Sequence, residues 1–324
     1  MSEAREGRMR LTLLGGFLGS GKTTWLRHQL HQGLLEDAHV IVNEAAATPV
    51  DDALLKGMAS IEVLSGGCAC CEARDELVAR LVRLCDLRSG AASSEARLER
   101  VALETSGLAD PAAILEAIGA HPVLVHHIVV SETIVCIDAL HGLAQFRSEP
   151  LSRRQAAVAD RLIVTKLDEA DTSETAGLVA TLRVLNPGAR IEGAIKGSPV
   201  ALQLSADAEP ETLPDLDGAP SDPIFPTRLI LGDGVDWTAF GVWLSALLYA
   251  RGDDVMRVKG VVRTPAGRLL LQSVRKVVQS PEVLPPQEDR EDDTIVVIGR
   301  GYESADLRRS LERFAGVRGV GPRQ

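Results

Sequence analysis

Leu11-Thr12-Leu13-Leu14-Gly15-Gly16-Phe17-Leu18-Gly19-Ser20-Gly21-Lys22-Thr23-Thr24 is a short apolar run that breaks into glycines and ends on Lys-Thr-Thr. From Gly16 to Thr23 it spells G-x-x-x-x-G-K-[ST], directly after a predicted strand and directly before a predicted helix, Thr23–His31. Glycines admit backbone turns closed to other residues, so successive N–H groups of Gly16, Gly19, Ser20 and Gly21 can converge on phosphate oxygens. A helix opening at the same point adds the positive end of its dipole. In that arrangement Lys22 reaches the β- and γ-phosphates, the Thr23 hydroxyl ligates Mg²⁺, and Thr24 completes the loop. The plainer alternative is a glycine-rich turn that only joins strand to helix; the strand–loop–helix context favours phosphate binding. Trp25, just inside the helix, reads as a packing residue.

Outward from this loop, the first 200 residues alternate apolar runs with helical patterns. His39–Val42, Ile61–Leu64, Arg100–Leu103, Ile128–Ile137 and Leu162–Val164 read as strands, and Glu72–Leu87, Pro111–Ile118, Gln155–Ala159 and Ser173–Leu185 as helices. Several strands show little polar alternation, as expected when both faces are buried. The expected fold class is therefore α/β, a P-loop parallel sheet with helices on both faces, over residues 9–200. Residues 201–226 are rich in Pro, Ala and acidic side chains and lack Lys and Arg until the segment ends, which predicts a linker. Residues 227–316 read as a smaller α+β domain. Its predicted strands are Leu229–Leu231, Val255–Thr264, Arg268–Val278 and Ile295–Ile298, with helices Trp237–Leu248 and Ser304–Phe314.

Bulk properties exclude some function classes. The net charge of -10 argues against broad nucleic-acid affinity, which needs a basic surface. No apolar run reaches membrane-spanning length, and Met1–Arg10 lacks the apolar core of a secretory signal, so the chain reads as cytoplasmic with no membrane partner. Five cysteines, three of them bunched, do not make a disulfide framework.

Two further segments carry chemistry. Val101-Ala102-Leu103-Glu104-Thr105-Ser106-Gly107 ends a strand on an acid; beside a P-loop, Glu104 is the candidate Mg²⁺ ligand or water-positioning group, and Gly107 the candidate N–H donor to a γ-phosphate. Val164-Thr165-Lys166-Leu167-Asp168 is similar to the N-K-x-D loop that reads guanine. The Asp168 carboxylate accepts from N1–H and the 2-amino group of guanine, donors that adenine does not present together. Lys166 would lie along the base. Thr165 replaces the longer Asn, so a contact near O6 or the P-loop is expected to be lost.

Ser65-Gly66-Gly67-Cys68-Ala69-Cys70-Cys71-Glu72 concentrates three thiols in four residues. In extended chain Cys68 and Cys70 share a face, and a helix start supplies the kink that brings in Cys71. Thiolates select soft or borderline ions such as Zn²⁺ or Cu(I). No second cysteine pair stands at zinc-finger spacing, so the site reads as open, suited to transfer. Buried or redox-active thiols are the alternative. Glu44, His126 and His127 are candidates for an extra ligand, and spacing does not choose among them. Cys85 and Cys136 lie in apolar runs and read as core residues.

Together Gly-Gly-Phe-Leu-Gly-Ser-Gly-Lys-Thr-Thr (15–24), Gly-Cys-Ala-Cys-Cys (67–71), Glu-Thr-Ser-Gly-Leu-Ala-Asp-Pro (104–111) and Ala-Asp-Arg-Leu-Ile-Val-Thr-Lys-Leu-Asp (159–168) resemble, in this order, the CobW/COG0523 family of G3E P-loop GTPases. The resemblance is firm over residues 9–200 and extends to a family-like C-terminal domain at about 226–316. It implies a GTPase that uses GTP and Mg²⁺, binds Zn²⁺ or Co²⁺ at Cys68, Cys70 and Cys71, and serves a client metalloprotein. The family's Asn-Glu-Phe-Gly-Glu-type stretch here reads Asn43-Glu44-Ala45-Ala46-Ala47-Thr48-Pro49-Val50-Asp51, which keeps Asn43, Glu44 and Asp51 and lacks Phe-Gly-Glu. Expected partners are GTP and GDP, the client and, with no feature that requires it, a second copy of the chain. A P-loop small-molecule kinase and a nucleotide-gated binding protein with little hydrolysis are the competing readings.

Overall fold

The computed structural model describes residues 7–35, 37–44, 60–65, 71–90, 98–202, 208–214, 225–231, 235–252, 254–274, 276–278, 281–284 and 292–315. These fall into two units, 1–185 with 189–219, and 186–188 with 220–324.

The first unit is built on β1 (Met9–Gly15), α1 (Lys22–His31), β2 (Ala38–Glu44), β3 (Ser60–Ser65), α2 (Cys71–Ser89), β4 (Arg100–Glu104), α3 (Pro111–Ala120), α4 (Leu124–His127), β5 (Ile128–Asp138), α5 (Gly142–Ser148), α6 (Pro150–Ala157), β6 (Arg161–Thr165), α7 (Thr172–Leu185), β7 (Arg190–Ile195) and β8 (Ser198–Val200). The strands form one sheet in the order β3-β2-β4-β1-β5-β6-β7-β8. Every pairing is parallel except β7 with β8. The expected α/β class therefore holds, and β5 shows why its strands carry so little alternation. Ile134 and Cys136 enter a core with Trp25, Leu26 and Leu30 of α1. Val135 and Ile137 point to the other face, into a core with Phe146 of α5 and Leu178, Val179 and Leu182 of α7. A strand covered on both sides has no reason to be polar at every second residue. Trp25 is a core residue, as expected, and also lies under the Arg161 guanidinium, 5.5 Å from the ring centroid.

Some local expectations are corrected. Helix α6 begins at Pro150, five residues before the expected Gln155, with Glu149 preceding a proline that suits a helix start. The short helices α4 and α5 and the strands β7 and β8 were not anticipated. Arg190-Ile191-Glu192-Gly193 alternates like an exposed segment because β7 lies near the sheet edge, and the three-residue antiparallel β8 closes that edge. Residues 208–214, inside the expected linker, are docked on the first unit. Arg147 pairs with Glu211, the Glu211 N–H donates to Thr181 Oγ1 at 2.9 Å, and Arg153 donates to the Pro214 carbonyl at 2.7 Å.

The second unit contains β9 (Phe225–Ile230), α8 (Trp237–Arg251), β10 (Val255–Thr264), β11 (Gly267–Val274), β12 (Val277–Val278), β13 (Glu282–Leu284), β14 (Thr294–Gly299) and α9 (Ser304–Ala315). Its antiparallel sheet has the order β12-β11-β10-β14-β9, with β13 also beside β11. Leu229, Val258, Val262, Leu271, Ile295 and Val297 meet Phe240, Trp243, Leu244, Leu307 and Leu311 of the two helices. The stretch expected as one strand, Arg268–Val278, is two: Val277 turns back to pair with Val274, and Val278 with Ser273. β-branched residues on both sides of the turn hide it from a reading based on apolar runs. No helix among the described residues is long and apolar enough to cross a membrane.

Candidate functional site: a phosphate loop at the carboxyl edge of the sheet

Parallel pairing brings the carboxyl ends of the strands to one edge, where α/β proteins place their ligands. Register fixes the neighbours there. Leu14 of β1 lies opposite Glu104 of β4, Val42 of β2 opposite Glu104, Glu44 opposite Ser65 of β3, and Asp138 of β5 opposite Thr165 of β6.

The loop after β1 has the backbone its glycines predict. Gly16, Gly19 and Gly21 have φ of 137°, 75° and 81°. A Cβ on Gly16 would come within 2.4 Å of the Cys136 carbonyl oxygen and 2.6 Å of Ser20 Oγ, so the cradle is closed to any side chain at that position. Lys22 is buried, and its ammonium donates to the Gly16 carbonyl at 2.9 Å and the Phe17 carbonyl at 3.1 Å. Ser20 Oγ is buried inside the loop without a hydrogen-bond partner among the described residues. Such an atom in a glycine cradle at a helix start fits a bound anion.

Thr23, in the first turn of α1, donates its hydroxyl to Glu104 Oε1 at 2.6 Å, and Glu104 is buried. A hydroxyl and a carboxylate side by side are hard oxygen donors, the set that Mg²⁺ takes. Thr24 is exposed on α1. Gly107 is buried in a turn closed by the Ala109 N–H donating to the Ser106 carbonyl at 3.0 Å. A Cβ on Gly107 would lie 2.8 Å from the Leu18 nitrogen, so this turn abuts the phosphate loop. Thr105 anchors the start of the segment, its N–H donating to the Leu14 carbonyl at 2.9 Å.

The Thr165 hydroxyl faces the Ser20 carbonyl at 2.9 Å and the Ile137 carbonyl at 3.2 Å. The expected loss of a P-loop contact is corrected: the shorter side chain still reaches this loop from the end of β6 through its hydroxyl. Lys166 has a left-handed backbone, φ 58°, and its ammonium lies 2.7 Å from Asp138 Oδ2. Asp168 follows on the exposed turn.

Two residues went unnoticed in the sequence reading. Asp138 ends β5, and the only signal for it is a lone carboxylate closing an apolar run. It is buried and accepts from Lys166, from the Leu140 N–H at 2.8 Å and from His141 Nδ1 at 3.1 Å. Burial alone would raise its pKa, but the hydrogen bonds from Lys166, Leu140 and His141, with the Lys166 charge, outweigh burial and hold the carboxyl below its ordinary range. A depressed native pKa stabilises the fold above the unfolded-state value of about 3.9, and that contribution disappears as pH falls through the native one. Asp138→Asn is therefore expected to lower the urea midpoint at neutral pH and to converge with the parent protein in acid. A difference between the two midpoints that stayed constant with pH would contradict this. Gln155, expected only as a helix start, is buried in α6 and donates to the carbonyls of Gly107 and Ala109 at 3.2 and 2.8 Å.

Of the expected metal residues, Cys68 and Cys70 lie outside the described residues. Cys71 is the first residue of α2 and Glu44 the last of β2, and their side chains lie outside them too. Among the described residues no group of three His, Cys, Asp or Glu could hold a metal ion. His126 and His127 are corrected as candidate ligands. They end α4 immediately before β5, which starts opposite Met9, whereas the cysteine motif follows the far end of β3. A seven-residue strand such as β1 separates the two edges by roughly 20 Å. Cys85 and Cys136 are core residues, as expected; burial pushes their thiols up to about 11 and about 12. Both stay protonated and poor metal ligands at neutral pH.

The chain is similar to known proteins over most of its length. Zinc chaperone YjiA of Escherichia coli (strain K12) is 29% identical over 321 residues, covering 95% of this chain and 98% of that protein. Zinc chaperone CobW of Pseudomonas aeruginosa is 30% identical over 317 residues, covering 83% of this chain and 81% of its own. The crystal structure of Zn(II)-bound YjiA GTPase from E. coli shares the fold, with a TM-score of 0.59 at 23% identity over 95% of this chain and 99% of that one. Residues 231–315 match the C-terminal domain of the cobalamin synthesis protein CobW. Residues 10–192 match the CobW/HypB/UreG nucleotide-binding domain, and the chain belongs to that family.

Proposed function

We infer that this chain is a GTPase that binds zinc through Cys68, Cys70 and Cys71 and passes it to a client metalloprotein. The observation that carries the reading is the convergence of Lys22, the Thr23–Glu104 pair and the Thr165–Asp168 loop on one edge of the sheet. The Gly16–Thr23 amides and Lys22 hold the phosphates, and Asp168 selects guanine. Thr23 and Glu104 hold Mg²⁺, which when bound neutralises charge on the β- and γ-phosphate oxygens. Gly107 offers its N–H to the γ-phosphate.

Coupling to the cysteines follows from strand order. The cysteine motif comes directly after β3, and β3, β2, β4 and β1 are successive neighbours. The ends of β1 and β3 are thus about 14 Å apart, three steps of about 4.8 Å, with Glu104 and Glu44 on the strands between. A change at Glu104 or Gly107 on γ-phosphate loss has a short path to the thiolates, and hydrolysis can thereby release the zinc cargo. The two relatives described above are zinc chaperones, which supports the choice of cargo and of a client.

The test is turnover of GTP and ATP by the full chain with Mg²⁺, with and without Zn²⁺. GTP is expected to be preferred and its hydrolysis to change with zinc. Asp168→Asn is expected to reduce guanine preference by at least about tenfold, read as the ratio of GTP to xanthosine triphosphate turnover. Equal use of ATP, or phosphate transferred to a metabolite instead of water, would replace this reading with that of a kinase.

A further inference from the structure

We propose that Gln155 is a positioning residue for the γ-phosphate side of the site: it holds the Ser106–Ala109 turn in the form that distinguishes GTP from GDP. The proposal rests on the GTP reading above. Gln155 lies on α6, 48 and 46 positions from the two carbonyls it holds, and its side chain is 1% exposed. One amide nitrogen supplies both donors, to Gly107 and Ala109, the second and fourth residues of the turn. The turn's own bond runs from the Ala109 N–H to the Ser106 carbonyl. A peptide unit is planar and trans, so fixing the Ser106 carbonyl sends the Gly107 N–H in the opposite direction. The other side of Gly107 is closed by the Leu18 backbone. Gln155 therefore holds the carbonyl of the residue whose N–H serves the γ-phosphate and the carbonyl of the residue whose N–H closes the turn.

The amide cannot be reversed, because a flip would set Oε1 against two carbonyl oxygens. In the observed orientation Oε1 is buried with no hydrogen-bond partner among the described residues. Burying an unsatisfied acceptor is unfavourable, and an apolar side chain of the same size would avoid it. What glutamine adds there is the pair of donors. The same helix holds the end of the turn segment: Arg154 Nε donates to Asp110 Oδ2 at 3.0 Å, while Asp110 Oδ1 caps α3 through the Ala112 N–H at 3.0 Å.

The experiment compares Gln155→Met with the parent full-length chain in Mg²⁺. Methionine keeps length and volume and removes both donors. Affinity for a non-hydrolysable GTP analogue and kcat for GTP are each expected to fall about tenfold, as loss of two neutral hydrogen bonds to a preorganised loop implies. GDP affinity, which does not involve this turn, is expected to stay within about twofold. Equal weakening of both nucleotides would show general structural support and overturn the proposal, as would no change in either. Should Gln155→Met not fold, Gln155→Asn retains an amide one methylene too short to reach both carbonyls, and the same affinity ratio decides. Failure of the GTP reading itself would appear differently, as a parent chain that neither prefers GTP nor hydrolyses it.

Discussion

Lys22→Ala is expected to lower GTP turnover by a factor on the order of a thousand or more, with the protein still folded. Electrostatic stabilisation of the phosphoryl group is the main work of such a site, and Lys22 is its positive side chain within the loop. Its ammonium is already held over the loop by the Gly16 and Phe17 carbonyls, so little reorganisation is needed. The structural cost is smaller. Two loop carbonyls lose a donor, on the order of 1 to 3 kcal/mol, and α1 keeps Trp25, Leu26 and Leu30 in the core. The check is single-turnover hydrolysis beside a thermal melt. Lys22→Arg is expected to fail as well, because a planar guanidinium does not fit where a compact ammonium touches two carbonyls. Turnover of the alanine variant within tenfold of the parent would remove this site from the chemistry.

Changing Cys68, Cys70 and Cys71 together to serine is expected to weaken zinc binding by roughly a thousandfold or more. Serine replaces soft thiolates with hydroxyls that stay protonated at neutral pH and bind zinc poorly. Equilibrium dialysis with zinc, in GTP and in GDP, reads the effect directly. In the parent chain affinity is expected to differ between the two nucleotides; in the triple variant both the affinity and the difference disappear, while GDP binding persists. Cys85→Ala and Cys136→Ala are the controls, since both thiols are buried and their burial favours the protonated form. Unaltered zinc affinity in the triple serine variant would end the metal-handling reading, even with hydrolysis intact.

The Lys22 site was legible because its chemistry is local. Eight consecutive residues hold the glycines, the lysine and the hydroxyl, and the flanking apolar and helical patterns give the context. Glu104 was legible because an acid ending an apolar strand is a local signal too. Asp138 carries the same signal but belongs to no sequence motif that was recognised; its role emerges when β5 lies beside β6 and its carboxylate meets Lys166, 28 positions away. Gln155 looked like an ordinary helical residue. Nothing near it in sequence says that α6 lies behind Gly107.

Sequence alone gave the parallel sheet and the phosphate-loop motif and nominated the magnesium, guanine and cysteine residues, because backbone freedom, hydrophobic period and donor chemistry are all expressed within a few consecutive residues. Tertiary structure decided which side chains stand behind those groups, which edge of the sheet each one reaches, and that His126 and His127 lie on the wrong one. Those facts depend on strand order, direction and register, which arise from packing between segments distant in the chain.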